Sequence, residues 1–414
     1  MSAVPQNTST TQNAPTPNSN GLSSVRPSLA LSGFTLPDRL LIRKGSEKGV
    51  LTLLRLEEVR DYLAGLVRAQ APEDHERPLS QLHVDFTSGR MEAVWIGPNG
   101  PEEVRFLFSD TGASQLQSYV LPGHFFKGLK QLALMDSNGA KLATMVWAKF
   151  AQTQAETRKV RTVRMKLGNE IYRVIRSAVS QTYAPYSNLE FVQDILDNAG
   201  EYRNLPVLDW RVTDSGMRIR FAGIDDALFG LGNLDQEALL SEPIPMVEAW
   251  NSEVARRKVG LRGGMFRLIS TSGMGHWNSQ TEYNWIHRGD AERIRAGVEN
   301  AFQNLFASAR QVVDVYKEAI DISIDNAFHW LELELGLIPA IPERVTKAAQ
   351  AALSDPTTTA GGKLASVVDA ITLVAQDETD MFMQYEIERA AAKLLVRGRG
   401  VAAKNNGNIP VEVE

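Results

Sequence analysis

The chain has 414 residues, 43% hydrophobic and 22% charged, with a net charge of -5. That is globular material, enough for two or three domains or one domain with large additions. It contains no cysteine, which excludes disulfides, thiolate zinc sites, iron–sulfur clusters and a thiol nucleophile.

No window approaches the roughly 18 consecutive apolar residues of a membrane helix, and the first residues lack the basic-then-apolar order of a signal peptide. The expectation is a soluble protein that is not exported and has no membrane partner. Residues 1–35, rich in Ser, Thr, Asn, Gln and Pro in their first 28, have little to bury and are predicted to be a disordered arm.

Residues 36–155 read as an N-terminal α+β part. Val59, Leu63 and Leu66 recur at helical spacing within 56–67. The runs QLHVDF, MEAVWIG and EVRFLF are separated by Ser88-Gly89 and Pro98-Asn99-Gly100, the pattern of a small antiparallel meander. Pro122 suits the first turn of a helix carrying Phe125, Leu129 and Leu132, and a second helix is predicted over 140–154.

Residues 156–289 form a central β-rich, basic part, interrupted by a helix carrying Phe191, Ile195 and Leu196. Strands over 207–213 and 217–221 flank Asp214-Ser215-Gly216, a hairpin that sets Arg218 and Arg220 opposite Met217, Ile219 and Phe221. A further strand pair is predicted over 246–254 and 258–269. Residues 290–395 are predicted helical, with breaks at Pro339 and Pro342 and a loop over 354–363. Residues 396–414 read as a flexible tail. The fold class is α+β, with a central antiparallel β-rich core, interspersed helices and a helical C-terminal part.

Charge is concentrated at 158–176, where seven Lys or Arg stand against one acid. Val163, Met165 and Leu167 alternate with Thr162, Arg164 and Lys166, so one strand face can pack while the other presents cations. Such a face suits a phosphate backbone. Arg161, Arg173 and Arg176 extend the charge, while Tyr183 and Tyr186 offer rings for stacking on unpaired bases. The competing reading is a solvated strand whose charges are paired to acids elsewhere.

A second basic edge is formed by Arg256, Arg257, Lys258, Arg262 and Arg267, interleaved with Gly260, Gly263 and Gly264. No GxxxxGK[ST] or GxGxxG follows a strand, so a bulged hairpin that needs glycine for its shape competes with a phosphate cradle. The six histidines form no HExxH, and His276, His287 and Glu282 are the one local set that could hold a metal. Hydrogen-bonded core or surface histidines are the commoner reading, and no cofactor is expected. Residues 314–334 carry six acids against Lys317 alone, read as the wet side of a helix or a mask for a basic patch.

In order, GASQLQSYVLPGHFFKGL, VRMKLGNEIYRVIRSAVSQTYAPYSN, VEAWNSEVARRKVGLRGGMFRLISTSGMG and WIHRGD resemble the phage/plasmid-like protein family, whose function is unknown. The likeness spans residues 36–395. Where the family pattern has Cys and Asn, this chain has Ser270 and Ser272. The resemblance implies a mobile element and the cytoplasm of a bacterial host. In that setting the basic segments lead to an expectation of single-stranded nucleic-acid binding in recombination or replication, without catalysis and with possible homo-oligomers. A hydrolase or nuclease with dispersed carboxylates and a structural or assembly protein are the alternatives.

Overall fold

The computed structural model describes residues 43–44, 50–52, 54–88, 91–121, 125–167, 169–199, 205–213, 216–222, 233–235, 243–269, 272–354, 362–378 and 381–410. The arm expected over 1–35 and most of the expected 354–363 loop lie outside them. Two six-stranded sheets and a helical C-terminal layer make an α+β protein.

Strands β1 (Arg43–Lys44), β2 (Val50–Thr52) and β3 (Leu54–Arg55) precede helix α1 (Leu56–Gln70). This helix buries Leu56, Val59 and Leu63, with Glu57 and Glu58 at its positive end and Arg68 at its negative end. It stops where Ala71 takes a left-handed conformation (φ 38) ahead of Pro72.

The first sheet contains β4 (Glu73–Pro78), the meander β5 (Leu82–Asp85), β6 (Glu92–Gly97) and β7 (Gly100–Phe108), and the hairpin β8 (Thr157–Leu167) and β9 (Glu170–Val179). Its order is β4-β8-β9-β7-β6-β5. The three runs pair antiparallel as their turns predict. In contrast, β7 and β9 run parallel, because α2 (Asp110–Val120), α3 (Phe125–Met135), α4 (Ser137–Gln152) and β8 intervene and supply the long crossover that parallel strands need. Helix α2 has no clear apolar period and was not expected. It starts on the Ser109 side chain, which accepts from Gly112 N–H. Val84, Trp95, Phe106, Leu116, Trp147 and Ile175 share the core of this part.

Helix α5 (Asn188–Asp197) opens on a capping box between Ser187 and Glu190. The second sheet follows, with β10 (Pro206–Val212), β11 (Met217–Ala222), β13 (Ile244–Asn251), β14 (Val259–Ile269) and β15 (Ser272–Trp285), in the order β15-β14-β13-β11-β10-β3 and antiparallel throughout. Strand β12 (Asn233–Asp235) pairs instead with β2. One face buries Ile219, Phe221, Val247 and Leu261 against α1, α5 and the first half of α6 (Ala291–Asp321). The other bears Arg218, Arg220, Glu248 and Arg262, and is covered as well: all six residues of β11 are buried.

After α6 come β16 (Ser323–Ile324), α7 (Ala327–Gly336), α8 (Glu343–Leu353), α9 (Leu364–Asp377), α10 (Met381–Lys404) and β17 (Asn408–Ile409), with β16 and β17 parallel. The tail expected from 396 onward is instead helix through Lys404, and Ile409 is buried opposite Ile324. RGRG has loop-like composition, yet Gly398 lies within a helix and packs closely: a Cβ there would lie 2.6 Å from Leu364 Cδ1. Arg397 and Arg399 reach Glu334 and Glu318. The acidic run is therefore split between two helices and tied to α10. Among the described residues no helix is long and apolar enough to cross a membrane.

Gly260 on β14 leaves room for the buried Trp250 ring; a Cβ would stand 2.2 Å from its Cζ2. Gly260→Ala is expected to destabilise by about 1–3 kcal/mol through overpacking. Gly336→Ala, with nothing within 4 Å, should be neutral or slightly stabilising. Urea midpoints of the two variants check the contrast.

Candidate nucleic-acid interface

Strand β8 alternates as its sequence predicts over 163–166, with Val163 and Met165 buried and Arg164 and Lys166 exposed, but Thr162, expected on the cationic face, is buried next to a bulge, and the Leu167 side chain is outside the described residues. Most of its other cations are neutralised locally. Arg161 binds Asp74 of β4 through Nε at 2.8 Å and Nη2 at 2.9 Å. Lys159 lies 3.4 Å from Glu76, and Arg158 pairs with Glu156 while its guanidinium covers the Tyr119 ring. Strand β4, EDHERP, thus lays acids beside the basic strand.

That pairing stops at Glu73 opposite Thr162. Beyond it Arg164 stands directly across from Arg173. Arg173 Nη1 lies 2.6 Å from Glu73, and chiefly this contact holds the Glu73 carboxyl below its ordinary range, with His75 and Arg164 adding further positive charge. Neither Arg164 nor Lys166 forms an ion pair with a described residue. Glu73 is thus the carboxylate that the guanidinium groups of Arg173 and Arg164 share.

Several expected contact residues do other work. In the register of β8 and β9, Arg161 faces Ser177 and Thr162 faces Ile175, leaving Arg176 as the extra residue of a bulge. The bulge redirects Arg176 inward, where Nη1 binds Glu253 Oε2 at 2.6 Å. Glu253 Oε1 also accepts from Asn188 N–H at 2.6 Å. Burial acts to raise the Glu253 pKa, but Arg176, the Asn188 N–H and Arg161 outweigh it, so the carboxyl stays below its ordinary value.

Tyr183 and Tyr186 are 5% and 0% exposed, so neither ring can stack on a base. Tyr183 stacks on His287 and donates to Ser252 O at 3.3 Å; Tyr186 donates to Asp194 at 2.6 Å. Their spacing gave no sign that the turn they occupy lies between the two sheets.

The second basic edge is also divided. Arg256 and Lys258 are exposed and form no ion pair with a described residue. Arg257 lies over Tyr385 and Trp250, with its ring-centroid distances 3.6 and 4.5 Å, and burial lowers its pKa. Arg262 is 1% exposed and donates to Glu248 at 3.0 Å, with Glu388 3.5 Å away. It belongs to a buried network in which Arg220 binds Glu248 (3.0 Å) and Glu388, and Arg218 binds Asp209 (3.0 Å). Burial opposes ionisation of Glu248, but Arg262, Arg220 and Arg218 hold it down to about 2. Arg267 lies on β14 opposite Met274, and its side chain is outside the described residues.

Of the histidine set, the His276 side chain lies outside the described residues, and Glu282 and His287 have other partners. Glu282 accepts from Tyr385 OH at 2.8 Å, and His287 Nδ1 lies 3.2 Å from Ala184 O, a contact that requires the proton on Nδ1. A cavity of ≈ 30 Å³ beside Arg176 and Glu253, lined also by Tyr62, Gln70, Asn188 and Thr213, has room for water but not for a nucleotide.

No family model, curated protein or solved structure matches this chain.

Removing the Glu253 carboxylate strips a buried guanidinium of its acid. Glu253→Ala is expected to cost about 3–5 kcal/mol, read from urea denaturation. His287 supplies a pH test. Burial pushes its imidazole down to about 4 from 6.5, so between those values the unfolded chain takes up a proton that the folded chain refuses. Its contribution is complete above the unfolded pKa and is lost as pH falls towards 4, by up to about 3 kcal/mol at 1.4 kcal/mol per unit. Stability profiles between pH 7 and 4.5 should flatten in His287→Leu relative to the parent.

Proposed function

We propose that this protein binds single-stranded nucleic acid, without catalysis, in the recombination or replication of a phage or related mobile element in a bacterial cytoplasm. The observation that carries the reading is Arg164 directly opposite Arg173, with Lys166 beside them and Glu73 as the adjacent carboxylate. Like charges directly opposite on a strand pair are destabilising, and a phosphate backbone would relieve that repulsion. Arg256 and Lys258, exposed at the β13–β14 turn, supply further phosphate contacts.

With Tyr183 and Tyr186 buried, binding should be electrostatic and tolerant of sequence. Fluorescence anisotropy with a labelled single strand at increasing salt is the test. Contacts by Arg164, Lys166, Arg173, Arg256 and Lys258 give an expected log–log slope of about -3.5, from about 0.7 per neutralised phosphate. Arg164→Glu with Lys166→Glu should weaken binding at least tenfold and flatten the slope. No binding at low salt overturns the reading, and magnesium-dependent cleavage of the strand would replace it with the nuclease alternative.

A further inference from the structure

Strand β4 covers β8 only from Thr157 to Thr162. It begins no earlier because α1 runs to Gln70, Ala71 is left-handed and Pro72 has no N–H to contribute to a ladder. Strand β8 continues for five residues, 163–167, paired with β9 on one side. On the other side no described strand meets it. Among the described residues these five have no strand partner on that edge, although α1 packs beside β8. Val163 and Met165 join Val174, Leu107 and Tyr172 in a small apolar cluster on one face, while Arg164 and Lys166 are exposed on the other.

The same chain carries a segment of matching pattern. Residues 411–414 are Val-Glu-Val-Glu, β-branched residues alternating with acids. Laid along β8, this sequence would set Val411 and Val413 on the side of Val163 and Met165 and place Glu412 and Glu414 beside Arg164 and Lys166. Ile409 is fixed against Ile324 in the C-terminal helical layer. That layer packs on the charged face of the second sheet, whereas the open edge belongs to the first. The edge is therefore assigned a donor from another molecule, whose segment starts from the same anchored Ile409.

We propose that residues 411–414 of a second copy of this chain add as a strand to the open 163–167 edge of β8, joining protomers through main-chain hydrogen bonds and two Glu–cation contacts. This goes beyond the nucleic-acid reading and does not need it, although both use Arg164 and Lys166. It makes the acidic segment a competitor for nucleic acid on that face.

Sedimentation velocity of the full chain over a range of concentrations is the first test. The parent should form dimers or larger species. Val413→Pro, which removes a strand N–H, should shift them to monomer with an unchanged thermal transition. Glu412→Lys with Glu414→Lys should do the same, and adding Arg164→Glu and Lys166→Glu to that variant should restore association. A parent that is monomeric at every concentration, or association that all these substitutions leave unchanged, overturns the proposal. A fluorescent NIPVEVE peptide gives an independent reading: it should bind the parent saturably and the Arg164→Glu, Lys166→Glu variant at least tenfold more weakly, and absence of saturable binding also overturns it. Because nucleic-acid affinity is measured separately, failure of either reading leaves the other standing on its own result.

Discussion

Glu253 sits where the two sheets meet, and its carboxylate accepts from Arg176 of the first sheet and from the first turn of α5 beneath the second. Around it Asn251 donates to Tyr186 O, Tyr183 donates to Ser252 O and Gln115 of α2 reaches Val254 O. The turn after β13 is thus held from three directions by residues far away in sequence. Buried charge is tolerated there because each carboxylate oxygen has a donor. A half-satisfied version would cost several kcal/mol.

A second ionic layer lies on the opposite face of the second sheet. Arg220 and Arg262 flank Glu248 in cross-strand register, and Glu388 from α10 completes the group. A wholly apolar face would attach a helix with little preference for its position along the sheet. Charges that must be matched allow few placements, so this network defines where α10 docks. The aromatic and guanidinium stack of Trp250, Arg257 and Tyr385 seals its edge.

These two networks consume much of the positive charge that makes the chain look like a nucleic-acid binder, and the acids of β4 take up more. Of the two basic segments, the cations left exposed among the described residues are Arg164 and Lys166 at the end of a hairpin and Arg256 and Lys258 at a turn. The distinction follows from strand length. Within the reach of β4 a cation on β8 meets an acid; past Thr162 it does not. The same early stop leaves both the charge and the strand edge available at one place, which is why a phosphate backbone and an acidic strand would compete there.

Local order was legible in sequence. The meander, the hairpin about Asp214-Ser215-Gly216, the capped α5 and the alternation of β8 all follow from turn chemistry and period-two or helical spacing, which act over a few residues. Helix α2 escaped notice because its signal is a single Ser109 cap, and RGRG misled because Gly398 serves a helix contact with Leu364 rather than a loop. At the candidate site, the sequence alone determined which residues carry charge and that Arg164 and Lys166 share a strand face. Only the tertiary structure decided which charges stay available to a ligand. Arg176 meets Glu253 across 77 residues and Arg220 meets Glu388 across 168, and pairing at that range depends on how the sheets and helices pack, which no local pattern encodes.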